Sequence, residues 1–184
     1  MNDRIKAFSK SAIVPLLKVS ENGPKQQYQF DIDCFEMKDY NYVNVLKDSD
    51  FSQLFDAVAN ISGPCLYYFT IESDHDADEI ISRIQAYKNT PGAKSVPAIK
   101  KKFPRTKVLY VGKVKKALWG RLVQHLGYYK VSRTQGLQLF YWTQGTNVKL
   151  KMSVLEFEHE MADYMSVLET KLAKELQPIV GKHR

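Results

Sequence analysis

Cys65-Leu66-Tyr67-Tyr68-Phe69-Thr70-Ile71 and, further on, Val108-Leu109-Tyr110-Val111-Gly112-Lys113 are the stretches whose reading decides the fold. Both are short runs of aromatic, aliphatic and β-branched residues, and Ser62-Gly63-Pro64 punctuates the chain before the first. Such runs predict strands over 65–71 and 107–111. Behind the second comes Gly120-Arg121-Leu122-Val123-Gln124-His125-Leu126. Leu118, Leu122 and Leu126 repeat at helical spacing there, which predicts a helix over about 115–126 that stops at Gly127. Arg121 and His125 lie four positions apart, so they share one face beside the apolar stripe.

Working outward, Asp74, Asp76 and Asp78 precede Ile80, Ile81, Ile84 and Tyr87, a helix with carboxylates at its positive end. Asn89-Thr90-Pro91-Gly92 ends it, and a basic loop containing Pro97 and Pro104 leads to the second strand. Strands are expected at 138–142 and 148–154, the latter alternating Val148, Leu150, Met152 and Val154 with Lys149, Lys151 and Ser153. A last helix is expected at about 158–176, with Met161, Tyr164, Met165, Leu168, Leu172 and Leu176 in one stripe and Glu169 on its border. Before Gly63, residues 28–35 alternate like a half-buried strand, and 50–59 reads as a short helix with Asp50 near its cap. These readings divide the chain into an N-terminal extension, 1–62, and a domain over 63–184.

The 184 residues suffice to bury a core, and 44% apolar with 12% aromatic residues excludes a disordered chain. Ala12-Ile13-Val14-Pro15-Leu16-Leu17 lacks a secretory context, and no stretch approaches the roughly 20 apolar residues of a membrane span. Cys34 and Cys65, the two cysteines, each sit in a strand-like apolar run and read as buried thiols. A reducing, cytoplasmic setting is therefore expected. The net charge of +7 is unevenly spread: between Glu79 and Glu156 there is no carboxylate, whereas sixteen lysines and arginines fall in that interval. A segment of one sign calls for an anionic partner, and a polyanion is the working inference.

The order Cys65-Leu66-Tyr67, Tyr110-Val111-Gly112-Lys113, Arg121 with His125, and then Glu169 resembles the GIY-YIG nuclease family. The resemblance covers about 63–182. It implies a small, mostly antiparallel three-stranded central sheet flanked by helices, an α/β (α+β) fold, with residues 72–107 as an inserted helix and basic loop. It also implies a metal-dependent endonuclease acting on DNA, double-stranded in the first instance. In that reading Tyr110 is the general base, and Tyr67 bonds the nucleophile or the scissile phosphate. Arg121 clamps the phosphate, His125 orients phosphate or water, and Glu169 holds one Mg²⁺ or Mn²⁺. Lys100, Lys101, Lys102, Arg105, Lys107, Lys113, Lys115, Lys116 and Lys182 are the expected contacts to the nucleic-acid backbone.

Two departures from the family pattern stand out. Cys65 replaces the first glycine, and about forty residues separate the two motifs where the family commonly has a much shorter connection; beyond Glu169, Gly181-Lys182 stands where asparagine is frequent. The same residues fit a nucleic-acid-binding protein of that fold without catalysis, and the basic face also fits an acidic protein partner. His159-Glu160-Met161-Ala162-Asp163 lacks the second histidine of a zinc-protease helix. Asp74, His75, Asp76 and Asp78 are explained by the start of a helix, and no zinc-spaced cysteine set is present.

Overall fold

The alternation noted at 28–35 belongs to a strand that joins the central sheet. The computed structural model describes residues 1–40, 42, 44–47, 51–100, 105–128 and 135–182. Its elements run α1 (Asn2–Asn22), β1 (Gln26–Asp33), α2 (Ser52–Ala59), β2 (Cys65–Ile71), α3 (Ala77–Lys88), β3 (Val108–Val114), α4 (Leu118–Leu126), α5 (Leu139–Trp142), β4 (Lys149–Glu156) and α6 (Met165–Leu176). The four strands form one antiparallel sheet in the order β1-β4-β2-β3. The α+β expectation is met, but the sheet has four strands rather than three. The fourth, β1, pairs along its whole length with β4.

Register fixes the two faces. Tyr67 stands opposite Gly112 and Val154, and Phe69 opposite Tyr110 and Met152. These odd positions of β2 and even positions of β3 and β4 therefore share one face, which α2 to α5 cover. The core on that face joins Ile32, Phe55, Val58, Tyr67, Phe69, Ile80, Ile84, Leu118, Leu122, Leu126, Met152 and Val154. Leu66, opposite Lys113, looks the other way. There it packs with Phe157, Met161 and Met165, with Leu168 and Leu172 of α6 and with Leu16 and Val19 of α1. A bulge between Phe69 and Thr70 lets the Val108 end of β3 keep pairing.

Local signals explain most boundaries. Asp76 accepts the Glu79 N–H at 2.8 Å and caps α3, as the carboxylate-rich start implied. Gly127 closes α4 at φ 104°, a conformation suited to glycine. Asp33 caps a short 3-10 turn at Cys34–Glu36.

Two expectations are corrected, and one element appears that the sequence reading did not place. The apolar run at 138–142 forms the helical turn α5, entered through Gln138 at φ 58°, instead of a strand. The last helix begins at Met165, because a 3-10 turn over His159–Met161 precedes it. Residues 2–22 form a 21-residue helix that continues through Pro15 and leaves Ile5, Phe8, Ile13, Val14 and Leu17 exposed. Asp50 lies outside the described residues, and α2 starts behind Phe51. No helix among the described residues is long and apolar enough to cross a membrane.

The C-terminal tail closes part of the outer edge of β3. Ile179 N–H donates to Val108 O and Val180 N–H to Leu109 O, while the tail's other side meets 98–100. Its hydrogen bonds to β3 stop at Leu109, leaving Tyr110 to Val114 for side chains to approach.

Glu156, at the end of β4, ties the chain entering β2 to β1. Its carboxylate is 3% exposed and accepts from Gly63 N–H at 2.8 Å and Tyr28 O–H at 2.9 Å. Burial works to raise its pKa, but the N–H groups of Gly63 and Ser62, the Tyr28 hydroxyl and the Lys25 charge outweigh it and leave it lowered. Replacing Glu156 with alanine leaves the Gly63 N–H without its buried acceptor and lowers stability by about 2 kcal/mol. A urea midpoint equal to that of the unaltered chain would contradict this.

Candidate active site at the edge of β3

The site grows from one absent side chain. Gly112 faces Tyr67 across β2 and β3, and a Cβ placed on it would lie 2.5 Å from the Tyr67 hydroxyl and 2.6 Å from the Tyr110 ring. Only glycine lets both phenols lie over β3 at this point. The ring centroids of Tyr67 and Tyr110 are 6.2 Å apart.

Helix α4 supplies the groups that hold the phenols. Arg121 donates from Nε to the Tyr67 oxygen at 3.0 Å and from Nη2 to the Tyr110 oxygen at 3.2 Å. Its Nη1 donates to Gln124 Oε1 at 2.7 Å, one turn further along the same helix. One planar guanidinium therefore spans both tyrosines and is fixed by its own helix. Burial works against its charge, yet the two phenols more than offset this, and its pKa is raised.

His125, one turn beyond Arg121, is 1% exposed, and both its ring nitrogens are engaged. The Leu137 N–H donates to Nδ1 at 3.2 Å, so the neutral ring carries its proton on Nε2. That proton points at the Tyr67 oxygen, 2.9 Å away. Burial, with Arg121 adding to it, holds the His125 pKa well below the ordinary imidazole value. His125 thus has both ring nitrogens engaged within the fold, and its bond toward the site is to Tyr67.

The Tyr67 oxygen consequently accepts two hydrogen bonds, from Arg121 and from His125. Both neighbours being donors, the phenol's own proton is left to a third direction. Burial pushes the Tyr67 pKa strongly up, with Tyr110 and Glu169 adding to it and Arg121 opposing. Tyr67 is therefore a protonated donor at neutral pH. Tyr110 is the less buried phenol, at 8% exposed against 1%.

Glu169 arrives from the opposite face of the sheet, on α6. Its hydrogen-bond partner is not a phenol but Lys113, whose Nζ donates to its Oε2 at 2.5 Å. Lys113 follows Gly112 on β3, so the ion pair and the phenols flank the same stretch of strand. The carboxylate is close enough for its charge to be felt at Tyr67. Tyr67, Tyr110, Arg121 and His125 thus form one hydrogen-bonded group, while Glu169 stands outside it, paired with Lys113.

The expected backbone contacts are more dispersed. Lys115 pairs with Asp163 at 2.7 Å, both well exposed. Lys107 donates to the Ser73 and His75 carbonyls at 3.0 Å. Lys100 is partly buried, which lowers its pKa, while Arg105 and Lys116 are exposed. Lys182 lines a groove of about 330 Å³ with Lys88, Lys94, Ser95 and Gln135. Lys101 and Lys102 lie outside the described residues. Cys65, at the first motif's glycine position, is buried, donates to Gly63 O at 3.3 Å, and has its thiol pKa pushed up by burial to about 12.

No group of three or more His, Cys, Asp or Glu among the described residues is placed to hold a metal ion. Glu169 alone fits an ion that takes most of its ligands from water and substrate oxygens, as Mg²⁺ does. Sequence reading missed Gln124, Gly136 and Leu137. A Cβ on Gly136 would lie 2.1 Å from the Gln124 carbonyl, so glycine there brings the Leu137 N–H up to His125. Comparison with protein-family models, curated proteins and solved structures found no match.

Tyr67→Phe removes the acceptor shared by the buried His125 and the half-buried Arg121, and a loss of about 2 kcal/mol in stability is expected. Chemical denaturation measures it, and an unchanged midpoint would mean the two donors find other partners. The neutral His125 sets a pH dependence. Unfolded chains protonate the imidazole near pH 6.5, whereas the folded chain does not. Its contribution is whole above about pH 6.5 and falls below it, by at most about 1.4 kcal/mol per pH unit. Between pH 7 and pH 5, His125→Gln should lose less stability than the unaltered chain; parallel losses would contradict a neutral buried ring.

Proposed function

We propose that this chain is a GIY-YIG-type endonuclease that hydrolyses DNA phosphodiesters with one divalent ion, Mg²⁺ or Mn²⁺. The observation that carries the reading is the bonding of Arg121 to both phenols over Gly112, with the Glu169 carboxylate near enough to act on Tyr67. The residues brought together are those whose order resembles the family.

Roles follow from burial and bonding. Tyr110, the more accessible phenol, accepts a proton from the attacking water in its phenolate form. The water oxygen forms a bond to phosphorus as the bond to the leaving oxygen breaks. Arg121 beside Tyr110 faces the charge that grows on the phosphoryl oxygens. Tyr67, kept protonated and held by His125 and Arg121, donates to a non-bridging oxygen or to the nucleophile. Glu169 would hold the divalent ion, which when bound polarises the phosphate and stabilises the leaving oxygen. The interval without carboxylates, including Arg105 and Lys116, supplies the electrostatic attraction for the nucleic-acid backbone, and Lys182 in the C-terminal tail adds to it.

The Lys113–Glu169 ion pair favours a second reading, a nucleic-acid-binding protein of this type that does not cleave, because the one suitable carboxylate is already paired. Nicking of supercoiled plasmid separates the two. With Mg²⁺, and not with chelator, the nuclease converts supercoiled to open-circular DNA. Tyr110→Phe slows it by roughly 10² to 10⁴. Glu169→Gln abolishes nicking while DNA binding persists. No metal-dependent nicking by the unaltered chain would leave the binding reading, and full activity of Tyr110→Phe would remove Tyr110 from the proton transfer.

A further inference from the structure

We propose that the Lys113 ammonium occupies the cation position on Glu169 in the free protein and leaves it when a nucleic-acid phosphate arrives, so that metal loading follows substrate binding. The proposal rests on the nuclease reading above and concerns how the same site is regulated.

The geometry is specific. Lys113 Nζ lies 2.5 Å from Glu169 Oε2, and the two side chains are 30% and 12% exposed. A pair this withdrawn from water is screened less than the exposed Lys115–Asp163 pair, so its charges act more strongly on each other. Among the described residues, the Glu169 carboxylate takes its hydrogen bond from Lys113. A divalent ion and the ammonium cannot both occupy that position.

The site offers the metal little else, since no three-ligand group exists among the described residues. An ion held by one carboxylate needs phosphate oxygens to complete its coordination. The ammonium needs a new anionic partner before it gives up the old one, and a phosphate seated against Arg121 and the phenols over Gly112 is such a partner. Lys113 points to the other face of edge strand β3, but its partner Glu169 is near enough for its charge to act on Tyr67, and an ammonium with three donors on a flexible stem can swing round that edge. One event, phosphate arrival, thus draws off the lysine and supplies the missing ligands. Coupling of this kind is reciprocal: substrate tightens metal, and metal tightens substrate.

Mn²⁺ binding, followed by loss of the free-ion electron paramagnetic resonance signal, tests this on the full chain without nucleic acid. Lys113→Met should bind Mn²⁺ about tenfold more tightly than the unaltered chain. Lys113→Gln should do the same, and Lys113→Arg should show no gain. The gain should vanish in Lys113→Met combined with Glu169→Gln. Equal affinity in the unaltered, Met and Gln chains, or a gain that survives Glu169→Gln, would overturn the proposal. In a second arm, a short DNA duplex should tighten Mn²⁺ binding to Tyr110→Phe more than to Tyr110→Phe with Lys113→Met, and equal tightening would overturn the coupling. The first arm is independent of cleavage. Tighter Mn²⁺ binding by Lys113→Met in a chain that does not nick plasmid sinks the nuclease reading alone, whereas nicking with no Lys113 effect sinks this inference alone.

Discussion

The Tyr67 hydroxyl lies over a backbone position where a single methyl group would collide with it, and the arrangement of the site depends on that close approach. Because Gly112 carries no side chain, two phenols lie over the same edge strand, and one guanidinium on α4 reaches both. Fixing Arg121 in turn requires Gln124, and fixing Tyr67 requires His125, whose tautomer is set by the Leu137 backbone. Each polar group in this network is satisfied by the next, which is how it persists against a hydrophobic core.

The architecture explains why the site forms at this edge and not within the sheet. Interior strands β4 and β2 have neighbours on both sides, and their faces are filled by the two hydrophobic clusters. Strand β3 has β2 on one side and, on the other, a tail that pairs only as far as Leu109. Beyond that point, groups from opposite faces flank the same three residues: Arg121 and the phenols from one, Lys113 and Glu169 from the other. Opposite-face alternation of adjacent residues places Gly112 and Lys113 in complementary roles, a gap for the phenols and a cation for the carboxylate.

Much of this was legible in the sequence, and the reasons are local. Strand β2 has the bounds that its apolar run implies, α3 shows its aspartate cap, and the leucine spacing of α4 places Arg121 and His125 together. What was not legible depends on distant pairing or on ambiguous short runs. The alternation of β1 reads as a strand, but its place beside β4 is a long-range fact. Leu139-Phe140-Tyr141-Trp142 is too short for periodicity to separate strand from helix, and it coils. The helix α1 buries none of its residues fully, so no apolar face announces it. Gly112 was noticed as a motif letter, yet its steric reason emerges only from register. Gly136 and Leu137 gave no signal, because a backbone N–H that selects a histidine tautomer leaves no mark in side-chain pattern.

The claim at the centre of the account is that a nucleic-acid phosphate sits against the Arg121-bonded phenols, and a crystal structure of Glu169→Gln with a DNA duplex tests it most directly. The account predicts a backbone phosphate within hydrogen-bonding distance of Arg121 and Tyr67, with Tyr110 facing the phosphorus and the Lys113 ammonium turned toward the same phosphate. A duplex bound along the lysine-rich groove near Lys88 and Lys182, with the Tyr67–Arg121–His125 network remote from every phosphate, would contradict it.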